Sequence, residues 1–104
     1  MESSHEKQLP IPSVAAQDPR AIELIRVWAS GGKQHVSLAT GLWKDPASWG
    51  IMLVDLLKHV ANAYEQSTNE NSEEIRQRIK AGFDVEWANE TDRPTGEIIS
   101  SKPE

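Results

Sequence analysis

The chain has 104 residues, with 16 acidic against 11 basic side chains and a formal net charge of −5. That balance argues against nucleic acid or an anionic membrane as the main partner, because both are held through clusters of Lys and Arg. It has no cysteine, so neither a disulfide framework nor a thiolate metal site supports it.

No apolar run approaches the roughly 18 residues that a bilayer span needs. The opening stretch MESSHEKQLPIPS lacks the apolar centre of a secretory signal, so the expected setting is cytoplasmic. Residues 1–20 mix charges with Pro10 and Pro12 and show no period, which reads as a flexible arm. A single small domain is then expected over residues 21–88. A domain of that size buries only about 60% of its extended-chain surface, so core packing and self-association must carry its stability.

Ile22, Ile25, Val27 and Trp28 favour a strand. Gly31 and Gly32 suit a two-residue hairpin turn, in which both positions take positive φ. Around that turn Ile25 faces Leu38, Val27 faces Val36, Ala29 faces Gln34 and Glu23 faces Thr40. The middle of one ribbon face is then apolar. The other face carries Ile22, Leu24, Arg26 and Trp28, with His35 opposite Trp28.

The strongest pattern runs from Leu42 to Gln66. Asp45 can cap a helix, and Pro46 suits the first helical position, where its missing N–H costs nothing. Trp49, Leu53, Leu56, Leu57, Val60 and Tyr64 then recur every three or four residues, forming one helical stripe. Asp55, Lys58, His59 and Asn62 fall on the opposite side. Ile51 and Val54 break the pattern and predict cover on a second side near the helix start. Gly50 costs about 1 kcal/mol relative to Ala, which points to another backbone passing close by.

A polar connector, Ser67 to Asn71, leads to a second helix. Ser72 is the expected N-cap, with Glu73 and Glu74 at the positive end of the helix dipole. Ile75, Ile79, Phe83 and Trp87 follow at intervals of four, with Gly82 on the same side, and the helix should end near Ala88. Residues 89–104 hold Pro94, Gly96, Pro103 and little apolar content beyond Ile98 and Ile99, and read as a disordered tail. The expected fold is α+β: a β-hairpin followed by two antiparallel helices (ββαα). Since a lone hairpin is marginal in water, the central helix is expected to cover its apolar face.

Chemistry is thinly represented. Asp55 and His59, four apart on the polar side of the central helix, could orient an imidazole or offer two metal ligands. A transition-metal site wants three or four ligands, and none is specified nearby, so an exposed helix pair is the simpler reading. No metal or other cofactor is expected. Trp28, His35 and Arg26 could meet an anion or an aromatic ligand, although cross-strand neighbours of this kind usually just stabilise a ribbon. Trp49 and Trp87 fall on core stripes, and Trp43 can pack on the helix start. Phosphate-binding, zincin, nucleophile-elbow and EF-hand motifs are absent from the sequence.

The run IELIRVW (Ile22 to Trp28), then Gly31-Gly32, HVSL and DPASWGIMLVDLLKHVANAY, resembles a family of short bacterial proteins known as domain of unknown function 5076. The likeness spans residues 21–87. It implies one compact domain in a bacterial cytoplasm and brings no catalytic residue with it. The function expected is therefore a non-enzymatic protein-interaction domain. Its contact face is Ile22, Leu24, Arg26, Trp28 and His35, and its partner is a protein or a second copy. The alternative is a small ligand binder or metal-dependent enzyme using Asp55 and His59, or His35.

Overall fold

A computed structural model describes residues 5–89 and 98–101. Along them run α1 (Ser13–Ala16), β1 (Ile25–Ser30), β2 (Lys33–Ala39), α2 (Ala47–Thr68), α3 (Ser72–Ala88) and β3 (Ile98–Ser101). Gly31 and Gly32, at φ 62° and 73°, turn β1 into β2. Both angles lie in the left-handed region, which glycine enters without a Cβ penalty. The pairing is antiparallel, with Ile25 opposite Leu38, Val27 opposite Val36, Trp28 opposite His35 and Ala29 opposite Gln34. The register predicted from the turn is the register observed. The ladder runs one step further, where Ala39 N–H donates to the Leu24 carbonyl at 3.0 Å.

The hairpin followed by two helices is present as expected, and the sheet gains a strand that the sequence did not announce. β3 pairs in parallel with β2, placing Ile98 beside Val36 and Ile99 beside Ser37. This makes β2 the middle strand of three. The rest of the expected tail over residues 89–104 lies, apart from Asn89, outside the described residues. Because register partners point to the same side, Ile25, Val27, Val36, Leu38 and Ile98 share one face.

α2 opens on Asp45, whose Oδ1 accepts from Ala47 N–H at 2.9 Å, the bond expected of a capping aspartate. It closes at Asn69, which adopts the left-handed conformation at φ 64° and donates its N–H to the Glu65 carbonyl. Asparagine tolerates that conformation better than most residues. α3 is capped one residue earlier than predicted. Asn71, not Ser72, accepts from the N–H groups of Glu73 and Glu74 at 2.9 and 3.2 Å. Ser72 N–H instead donates to Glu65 Oε2 at 3.0 Å, tying the start of α3 to the end of α2. α2 and α3 pack as a helical hairpin.

One packing expectation fails. No described Cα of α2 or α3 comes within 8 Å of a strand Cα, so the helices do not pack tightly on the sheet. On its apolar face Ile25, Val36 and Leu38 are half-buried, and Val27 and Ile98 are exposed. Among the described residues, only Ala39, Ala61 and Ile75 are buried hydrophobic residues. The radius of gyration is 15.8 Å, against about 13 Å for a compact domain of this length. The accessible surface is 9285 Å², against about 5,800 Å² for a folded monomer of this mass.

Candidate functional site

The sequence-predicted contact face lies on the Trp28 side of the hairpin. Leu24, Arg26, Trp28 and His35 are half-buried there, and Ile22 is exposed. Cover comes from the chain's own N-terminal segment. The ring of His5 lies 5.1 Å from that of Trp28 at a 59° tilt, a tilted approach within the range aromatic pairs prefer. Leu9, Pro10 and Ile11 line an open groove together with Ile22, Arg26 and Trp28. Lys7 and Arg26 are the cations that line that groove, and Arg26 is engaged by Glu23, Nη2 to Oε1 at 2.9 Å. His35 lies across from Trp28, its Nε2 3.3 Å from the Ser30 carbonyl. The polar groups of this face are thus tied to neighbouring backbone and side chains.

Asp55 and His59 are both exposed on α2, 20 and 24 residues along the chain from His35 and on a different element. The structure does not gather the three histidine and aspartate candidates into one site. Among the described residues, no group of three His, Cys, Asp or Glu is placed to hold a metal. No helix of the described residues is long and apolar enough to cross a membrane.

Apolar surface is concentrated on the helical hairpin instead. Ala61 is fully enclosed and Ile75 nearly so, at the contact between α2 and α3. Leu53, Leu56, Val60 and Tyr64, predicted as a covered stripe, are exposed at 46%, 45%, 40% and 52%. The reason is angular. At 3.6 residues per turn, Ala61 sits roughly 90–120° round the helix from the centre of that stripe, so packing on α3 leaves the stripe outside. Trp49 is half-buried, with Trp43 edge-on against it at 5.0 Å. Trp87 is not a core residue. It is 80% exposed and stacks on Phe83 at 5.7 Å and 26°. Nothing lies within 4 Å of where a Cβ would stand at Gly50 or Gly82, so the close approach expected at both is absent among the described residues.

The model for domain of unknown function DUF5076 matches residues 8–91. This chain belongs to that family. The match takes in the groove-lining segment from Gln8 as well as the hairpin and both helices, so that segment is part of the family's domain. The DUF5076 chain is also similar to a solved structure from the photosynthetic bacterium Rhodopseudomonas palustrus CGA009, named "putative pyruvate dehydrogenase". The two are 29% identical with a TM-score of 0.68, over 91% of this chain and 97% of that one. No curated protein matches the sequence.

Proposed function

We propose that this DUF5076 protein is a non-enzymatic association domain that is completed by binding protein, in the simplest case a second copy of itself. The observation that carries this reading is uncovered apolar surface. The sheet face with Val27 and Ile98, the stripe on α2 and the Phe83–Trp87 pair are all exposed. Exposed apolar patches of that extent on a small domain mark contact surfaces. The hairpin face with Ile22, Leu24, Arg26, Trp28 and His35 remains part of this proposal, although its partial cover by residues 5–11 leaves it less apolar area to offer.

The decisive measurement is molar mass by light scattering and sedimentation across a concentration series. A dimer or larger species at micromolar concentration is expected. A monomer that stays soluble at millimolar concentration, with Trp28→Ala changing neither association nor solubility, sinks the reading.

The name of the Rhodopseudomonas structure supports a second reading, a role in pyruvate chemistry. At Arg26 in the open groove a small carboxylate would meet both a cation and an apolar wall. Its pairing with Glu23 weighs against that use. Pyruvate raising the melting temperature of the wild-type protein but not of Arg26→Ala would promote this reading over the first.

A further inference from the structure

Deepening the self-association reading and resting on it, we propose that the contact between two copies is made by α2. Trp49, Leu53, Leu56, Val60 and Ala63 are its seam, and two helical hairpins close into a four-helix bundle.

The spacing along this seam is four, three, four, three. That is the alternation of a and d positions in a heptad repeat, the pattern that lets a helix interlock with another through knobs and holes. On that assignment Gly50, Leu57 and Tyr64 fall at e positions, and Met52, His59 and Gln66 at g. Between Trp49 and Gln66 the only Asp, Glu, Lys or Arg side chains on α2 are Asp55, Lys58 and Glu65, which occupy c and f. In a chain of net charge −5, like-charge repulsion opposes pairing of two copies. This surface carries no Asp, Glu, Lys or Arg at any position that would face a partner, so α2 can meet itself without that penalty.

Three further observations agree. Leu53, Leu56 and Val60 lie to the side of Ala61 on the helix and keep 40–46% of their surface exposed, while no described strand Cα comes within 8 Å of α2. Gly50 flanks the seam with open space where a Cβ would be, a costly residue in a helix interior unless something outside the chain comes close. Finally, two heptads are too short for a free-standing coiled coil. α2 is already braced by α3, however, and pairing two such hairpins gives the geometry of a four-helix bundle.

The absence of cysteine makes the test direct, since any introduced thiol is the only one. Leu56→Cys, near the middle of α2, should form a disulfide-linked dimer on mild oxidation, and Lys58→Cys on the far side should not. Leu56→Glu should lower the molar mass from dimer to monomer with the helical circular-dichroism signal retained, whereas Lys58→Glu should leave the dimer intact. A wild-type monomer overturns both the self-association reading and this one. A wild-type dimer in which Leu56→Cys fails to cross-link and Leu56→Glu keeps its mass overturns the α2 seam alone. If Leu56→Glu does not fold, the cross-linking pair decides by itself.

Discussion

Asn71 and Gly31 show how single residues set local geometry in this protein. The Asn71 side chain satisfies two of the N–H groups left open at the start of α3, groups that otherwise have no intrahelical partner. Asn71→Ala should therefore cost about 1 kcal/mol, measured as a shift in the urea midpoint at unchanged slope. Gly31 holds φ at 62° with open space around it, so a side chain there meets no clash and only the backbone penalty. Gly31→Ala should cost roughly 1 kcal/mol and leave the oligomeric mass unchanged. Gly50 distinguishes the helix from its surroundings. In an isolated helix face Gly50→Ala should stabilise by about 1 kcal/mol. With a partner helix against it, the same substitution should weaken association, read as a rise in the dimer dissociation constant.

At the scale of elements, the helical hairpin and the sheet are held by different means. α2 and α3 are joined at one end by the Ser72–Glu65 hydrogen bond and the left-handed Asn69, and along their length by Ala61 and Ile75. Small and medium side chains at that contact allow close helix packing but bury little apolar area. Ala61→Leu should force the helices apart. Overpacking of this kind costs about 1–3 kcal/mol, and the loss should appear in the thermal melt of the helical signal. The exposed ion pairs along α3, such as Lys80 Nζ to Asp84 Oδ2 at 2.8 Å, add little, since pairs in water contribute only tenths of a kcal/mol. β3 contributes Ile98 to the apolar sheet face, enlarging a surface that α2 was expected to cover and does not pack on tightly.

For the molecule as a whole, three buried apolar residues among those described make a thin core for 104 residues. A chain of this size must draw stability from elsewhere, and association supplies it by mass action. The melting temperature should thus depend on protein concentration, falling by roughly 3–5 °C for each tenfold dilution. A melting temperature constant over a hundredfold dilution would show that the single chain is stable alone.

What the sequence by itself determined are the features decided by residues close together in the chain. The Gly31-Gly32 turn dictates which residues of β1 and β2 face each other, because a two-residue turn leaves one register. The Asp45 bond and the ends of both helices are equally local, and even the one-residue error at Asn71 is within a cap's reach. Family membership also followed from those local runs. The tertiary structure alone decided where the apolar faces point. A three-four spacing says that Leu53, Leu56 and Val60 share a side of α2, but the hydrophobic effect has no direction and does not say which surface will cover them. Ala61, a residue with no signal beyond its size, proved to be the one fully enclosed side chain among the described residues of α2. Ile98 and Ile99 reached β2 through a parallel pairing over some 60 residues of chain, a contact that no short-range pattern encodes.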